Sequence, residues 1–510
     1  MMENSMLRSI FIFLLCVVLA TIFFFNMEHK NETDSSTERV FTEQVFHPQD
    51  YLGIDNTNIS NDVIAKKLFD SHPNLVPARL TEYGPRQNDS CALYVNMLDA
   101  NHNNIYWQEQ RAGNDTYYLF GAYLDNRTTL NADPAVRIIA MLDKRNRTQN
   151  LSCQFWYQKE RMPIISAVSE YRQLWKNPSN SSESDLHPFL LSCVVPKLNK
   201  SVVPESVSLV GAPCQNATNN LRVGYNGAPN GTKRGFAVCV TALGLSLRSF
   251  LPVLPIRLIE WIELNKILGA EKIIFHEMQM HPNMTTVMEH YSNAGEVEVS
   301  GLSLPGYLTN VPDFILSYLN TKPHIRTFIE DLAYNDCYYK YMHQFEFFVV
   351  LDIFKVIIPD LAPDWRALLS EPGKKSPAAS FTANRSVFVD DKAEMHDWSA
   401  EVPKYLHMLQ HVHRNVKPNV TEDETMASAK NAIFQKSASP FLCVRQGSNN
   451  CRSDFVAAQL HKYCVGREED ECKTGRGDQL QIDTTIRRFK GELIKASNKA
   501  LKTLGLVKFT

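Results

Sequence analysis

Apolar positions along this chain follow two rhythms, and the change falls near Thr232. Between Cys91 and about Val210, short alternating or aromatic runs (Ala92–Val95, Tyr117–Tyr123, Val136–Leu142 and Cys153–Tyr157) are separated by polar turns, which predicts a β-rich layer. After Gly231-Thr232-Lys233-Arg234, strands alternate with helices. Phe236–Thr241 reads as a strand, and Ile256, Ile259, Glu260, Glu263 and Ile267 recur at helical spacing until Gly269 supplies a C-cap. Lys272–His276 is a second strand, Thr285–Asn293 a short helix ended by Gly295, and Glu296–Val299 a third strand. The helical stretch Leu332–His343 feeds the apolar run Phe347–Pro359, read as a buried strand that delivers Asp352 at its end. This rhythm predicts an α/β domain built on a mostly parallel sheet with flanking helices. Ligands of such sheets sit beyond the carboxyl ends of the strands, where Asp352 is placed.

Hydropathy at the N-terminus adds a further element. After Arg8 the chain runs uncharged and mostly apolar from Ser9 to Met27, about 28 Å of helix at ~1.5 Å per residue, the thickness of a bilayer core. Val18-Leu19-Ala20 resembles a signal-peptide cleavage site, but Ile22-Phe23-Phe24-Phe25 continues the apolar run where a mature terminus should turn polar, so an uncleaved anchor is the expectation. The organisation is then a cytoplasmic tail (1–8), a transmembrane anchor (9–27), a stem rich in polar residues and proline (28–86), a β-rich accessory domain (87–232) and the α/β domain (233–510). Asn-X-Ser/Thr sequons recur from Asn31 to Asn419 and none precedes the span, which fits a single-pass type II protein with its bulk translocated. One of the eleven cysteines, Cys16, lies in the span, and the even remainder suits disulfides in an oxidising compartment. Cys443 with Cys451 and Cys464 with Cys472 are close enough in sequence for local pairs.

Composition changes little. With 44% apolar residues, 21% charged and a formal charge of -2, the chain is globular and has no basic excess for nucleic acid. The β-rich half carries no chemical motif and reads as a spacer.

An acid closing an apolar strand either accepts nearby backbone N–H groups in a turn or serves as an oxygen ligand for a hard cation such as Mn or Mg, which can neutralise a nucleotide diphosphate leaving group. Periodicity leaves both open for Asp352.

Longer blocks narrow the choice. Phe236–Thr241, Arg257–Ala270, His290–Val299, Leu304-Pro305, Tyr334–Lys340 and the Asp352 strand, in this order, closely resemble the domain of glycosyltransferase family 92. The resemblance covers roughly Phe236 to Pro359, with weaker echoes through Leu406–Arg414 and Gln459–Cys464 and upstream in Tyr118–Arg127. It implies a GT-A-like fold in a Golgi-type, lumen-facing membrane protein that moves a sugar, typically galactose, from a UDP-sugar donor onto a glycan or glycoprotein acceptor, with inversion and with a divalent metal. Asp352 matches the first acid of the family's Asp-x-Asp metal motif. Asn335, Asp336 and Lys340 match the block before it and are expected near the donor, although packing is an equally good role for Asn335-Asp336. Val240 and Thr241 match the first strand end, which cradles the nucleotide in such folds.

The chain departs from this pattern where metal chemistry is concentrated. In place of Asp-x-Asp-Glu it reads Asp352-Ile353-Phe354-Lys355, so an aromatic ring replaces the second carboxylate and a base replaces the next acid. Lys436-Ser437 is followed by Phe441-Leu442-Cys443-Val444-Arg445-Gln446, without the family's histidines. Weakened Mn or Mg binding is expected, with Lys355 supplying part of the missing charge at the donor. Three readings follow: an active transferase with an altered, metal-independent donor site; a catalytically weak paralogue that binds glycans or partner enzymes; and an adhesive cell-surface glycoprotein, which leaves the ordered blocks unexplained.

Inverting transfer needs a carboxylate that takes the proton of the acceptor hydroxyl. Asp390, Asp391, Glu394 and Asp397 are the candidates, although their stretch also reads as an ordinary solvated loop. At the C-terminus, Ile482, Ile486, Phe489, Leu493, Leu501 and Leu504 at near-helical spacing predict a helix docked on the α/β domain.

Overall fold

The period-2 runs of the first half fold into a nine-stranded sheet in the computed structural model. The structure describes residues 74–75, 91–95, 99–127, 133–144, 149–157, 160, 162–174, 186–197, 203–228, 231–241, 253–280, 282–312, 314–370, 380–389, 401–415, 423–428, 452–464, 472 and 480–507. The expected anchor and nearly all of the stem lie outside these residues; among those described, no helix is long and apolar enough to cross a membrane. The strands are β1 (His102–Asn104), β2 (Trp107–Ala112), β3 (Asp115–Asp125), β4 (Ala135–Leu142), β5 (Ser152–Trp156), β6 (Ile164–Gln173), β7 (His187–Val194), β8 (Ser206–Val210) and β9 (Leu221–Gly224). They run in the order β1-β2-β3-β4-β7-β6-β5-β8-β9, and a parallel β3–β9 pairing closes the sheet on itself.

Closure gives β4 two buried faces. Val136, Ile138, Ala140 and Leu142 fill the interior of the closed sheet, while Ile139 and Met141 join an outer core. The polar exception in this run, Arg137, is paired with Asp125 at 3.4 Å and Glu170 at 3.1 Å. Ala92–Val95 is not the expected strand. Cys91 is tied to Cys214, and Leu93 N–H donates to Asn216 Oδ1 at 3.2 Å, so this segment follows the loop at Cys214 rather than a neighbouring strand.

The second half forms β10 (Arg234–Thr241), β11 (Ala270–Glu277), β12 (Val297–Gly301), β13 (Phe345–Leu351), β14 (Lys355–Pro359), β15 (Ser380–Phe388), β16 (His413–Asn415), β17 (Asp423–Ser428), β18 (Arg452–Tyr463) and β19 (Leu480–Ile482). Its helices are α1 (Leu254–Ile267), α2 (Pro282–Asn293), α3 (Phe314–Thr321), α4 (Pro323–Tyr341), α5 (Trp365–Leu369), α6 (His407–Gln410) and α7 (Lys490–Thr503). Gly269 at φ 113° and Gly295 at φ 75° turn the chain out of α1 and α2 in a conformation that side chains with a Cβ resist. α4 begins at Pro323, well before the expected Leu332, because proline suits the first helical turn.

The sheet is mixed rather than mostly parallel. β12-β11-β10-β13 run parallel, as strand–helix alternation requires, but β17 pairs antiparallel to β13 and most later pairings are antiparallel. The apolar run Phe347–Pro359 is two strands, not one. Phe354 N–H donates to Asp352 Oδ1 at 2.8 Å and Lys355 N–H to Asp352 O at 3.0 Å, a turn that sends β14 away to pair with β18. Two indoles hold β14 there: Trp261 Nε1 donates to Lys355 O at 2.7 Å and Trp365 Nε1 to Ile357 O at 3.0 Å.

α4 lies between the closed sheet and the parallel strands, packing on β3, β4 and β7 on one side and β10 and β13 on the other. On the opposite face of the parallel strands, α1 and α2 bury Leu258, Trp261, Ile262, Val287 and Tyr291, each aliphatic side chain worth about 1.5–3 kcal/mol. α7 docks on α1 through Leu493 and Leu501, preceded by a 3-10 turn, Thr485–Phe489, that buries Ile486 and Phe489. Leu504 packs at the margin of the same core, whereas Ile482 is exposed on β19.

Glu260 on α1 is fully buried, yet polar. Its carboxyl accepts the backbone N–H groups of His407, Met408 and Leu409 at 2.6, 3.0 and 3.2 Å, joining α1 to α6. Burial raises its pKa to about 7 against the pull of those donors. A carboxyl that holds its proton more tightly folded than unfolded stabilises the fold at low pH, and that stability is lost as pH rises from about 4.5 through about 7. Chemical denaturation is therefore expected to show wild type losing up to ~3 kcal/mol relative to Glu260→Gln across this window; parallel profiles would refute it.

Candidate functional site

Parallel pairing aligns the carboxyl ends of β12, β11, β10 and β13 in one row. Ser300 is in register with His276, His276 with Thr241, and Val240 with Leu351, immediately before Asp352. Val240 is wholly buried in the core and apolar, so its side chain offers a donor nothing to bind; Thr241 ends its strand.

Asp352 behaves as a turn residue. Besides the Phe354 N–H, its carboxylate meets Lys355 Nζ at 3.2 Å. Partial burial works to raise its pKa, but Lys355 and the Phe354 N–H hold it below the ordinary value. With 40% of the Asp352 side chain exposed, the pair is screened by solvent and contributes no more than about 1 kcal/mol.

A hard divalent ion at a nucleotide site takes one or two protein carboxylates and fills the rest of its shell with phosphate and water oxygens. Here there is one carboxylate, already engaged by a backbone N–H and an ammonium, while the Phe354 ring is only 8% exposed in the core beside Ile353 and Val356. Among the described residues no group of three His, Cys, Asp or Glu side chains could hold a metal. Among the described residues, Asp352 therefore offers a divalent ion a single carboxylate that is already engaged.

The α4 residues occupy a different place, between the layers. Asn335 is buried and its Nδ2 donates to Asp331 O at 2.7 Å within the helix; its Oδ1 has no partner among the described residues. Asp336 is 4% exposed, accepts the Tyr123 hydroxyl from β3 and lies 2.7 Å from His276 Nε2 on β11. Burial alone would raise its pKa, but His276, Lys340 and Tyr123 hold it below the usual carboxylate range. Lys340 Nζ lies 2.8 Å from Glu298 Oε1, and Lys272 is 2.7 Å from the other oxygen. Against burial, these lysines and the Tyr341 hydroxyl bring the Glu298 pKa down to about 2. Asp336 and Lys340 line a cavity between the layers; Val240, Asp352 and Lys355 are not among its walls. The carboxylates Asp390, Asp391, Glu394 and Asp397 lie outside the described residues.

Glu277 was not singled out from the sequence. It ends β11 opposite Gly301, is half-buried, and its Oε2 has no hydrogen-bond partner among the described residues. Burial raises its pKa. The strand-end rule that selects Asp352 applies equally to this acid, one residue beyond the recognised run Lys272–His276.

Comparison with known proteins bears on the same region. Residues 235–438 match the family model of glycosyltransferase family 92, a span that runs from the second residue of β10 through β13 and includes Glu277 and Asp352. No curated protein matches the chain significantly.

Proposed function

We propose that the chain is a glycosyltransferase that moves a hexose, galactose by its family resemblance, from a UDP-sugar onto a glycan acceptor with inversion. The observation that carries this reading is the family match over strands whose carboxyl ends bring Glu277, Thr241 and Asp352 to one edge. The resemblance also favours a GT-A-like donor domain on a type II anchor facing the Golgi lumen, and the disulfides suit such an oxidising compartment.

In the proposed reaction the acceptor oxygen attacks the anomeric carbon while the bond to UDP breaks, and the hydroxyl proton passes to a carboxylate. Glu277 suits that role among the described residues because desolvation raises its affinity for a proton; Asp390, Asp391, Glu394 and Asp397 are the alternatives from the sequence. Charge leaving with UDP is met by Lys355 and by backbone N–H groups at the strand ends, with no step assigned to a metal.

The test is UDP release by the purified chain from UDP-galactose with a glycoprotein acceptor, with added Mn or with EDTA. Turnover that persists in EDTA is expected; turnover abolished by chelation would refute the metal-free donor site. The engagement of Asp352 in its own turn favours a second reading, a paralogue that binds sugars without transfer. UDP-sugar binding with no turnover for any donor would select it.

A further inference from the structure

The cavity between the closed sheet and the parallel strands measures about 390 Å³, within the ~300–1,000 Å³ of small-molecule sites. Both layers build it: Tyr106, Trp107 and Tyr123 come from the first, and Ser300, Asp336 and Lys340 from the second. His102 and Ile105 are exposed members of the lining. Trp107 is 1% exposed, packs on Phe120 and donates Nε1 to Ser303 O at 2.8 Å, so it backs the wall, and the half-buried Tyr106 is the aromatic ring with surface to offer a ligand. Gly301 is bare for a reason: a Cβ there would meet Tyr106 Oη at 1.7 Å, so glycine lets the tyrosine ring come against the strand end.

The charges of this wall are matched. Glu298, which stays ionised, is shared by Lys340 and Lys272, and Asp336, held by His276 and the Tyr123 hydroxyl, supplies the second negative charge facing Lys340. Glu205 provides a counter-charge for Arg222, the other strong cation of the lining. A nucleotide diphosphate needs uncompensated positive charge, which this cavity does not concentrate. Aromatic surface beside fixed polar groups suits a neutral, polyhydroxylated ring instead: its C–H face lies on an aromatic ring and its hydroxyls exchange hydrogen bonds with the carboxylate, ammonium and Ser300.

We propose that this cavity binds an uncharged hexose unit of a glycan and serves as an acceptor subsite. Only the word acceptor rests on the transferase reading; the binding does not. Ser300 sits in the same row of strand ends as Asp352, three inter-strand steps of ~4.8 Å away, or about 14 Å. A glycan anchored at β12 thus reaches along the row toward the donor, and the closed sheet becomes part of the recognition surface.

The experiment is saturation-transfer NMR on the purified full-length chain with neutral methyl hexosides and neutral glycans released from glycoproteins, together with photocrosslinking by a diazirine-bearing galactoside. Saturable binding that UDP does not displace is expected, weakened roughly tenfold by Tyr106→Ala, with crosslinks on peptides carrying Tyr106 or Ser300. No binding at millimolar sugar, displacement by UDP, or crosslinks confined to other peptides would overturn the proposal. The crosslink map decides the matter if Tyr106→Ala does not fold. Sugar binding that maps to the cavity in a chain that transfers nothing keeps the site and removes the transferase reading; transfer without cavity binding does the reverse.

Discussion

Phe354→Asp combined with Lys355→Glu is expected to destabilise the chain by ~3–5 kcal/mol, and Mn is expected to restore part of that loss. The cost arises because Phe354 fills core space with Ile353 and Val356; truncating a buried phenylalanine costs about 3–5 kcal/mol, and an unpaired carboxylate in that setting adds to it. The recovery arises because Lys355→Glu removes the cation facing Asp352 and the pair of substitutions restores the acids that the resemblance calls for. An ion at a hundred times its dissociation constant adds about 2.7 kcal/mol to a fold that alone binds it. Urea denaturation with and without Mn measures both parts. Unchanged stability without Mn would mean that Phe354 is not a core residue, and no response to Mn would mean that Asp352 does not mark the position of the metal motif.

Asp336→Ala is expected to cost about 2–6 kcal/mol, because it leaves two buried groups, the Tyr123 hydroxyl and the His276 ring, unsatisfied at about 1–3 kcal/mol each. The loss follows from position: Asp336 on α4 joins Tyr123 on β3 to His276 on β11. Asp336→Asn keeps an acceptor and should lose about 1–3 kcal/mol. A raised KM for the UDP-sugar at unchanged stability would instead establish Asp336 as a donor-binding residue.

Much of the fold was legible in the sequence because local pattern and tertiary burial agree there. Phe236–Thr241, Lys272–His276 and the helix closed by Gly269 each satisfy period, length and punctuation together. The Phe347–Pro359 run reads as one strand because both of its strands are buried, leaving no polar alternation to mark the join; the break is made by hydrogen bonds of Asp352, a residue equally at home at a strand end. β15 to β19 leave little local signature in the sequence because they pair over long separations, β15 with β18 in parallel and the others antiparallel. At the site, Asp352 and Lys355 meet as their spacing allows, whereas the partners of Asp336 and Lys340 come from strands far along the chain. The role of the first half as a wall of the cavity was invisible for the same reason: Tyr106 and Ser300 become neighbours of one space only after both layers have packed on α4.

Among the described residues, Cys91–Cys214 and Cys153–Cys193 lie within the closed-sheet half, while Cys239–Cys337 and Cys464–Cys472 lie within the half that follows. None of these bonds crosses the join between the halves. Each half therefore carries complete cysteine pairs of its own among the described residues. Pairing within the first half thus requires no cysteine of the second.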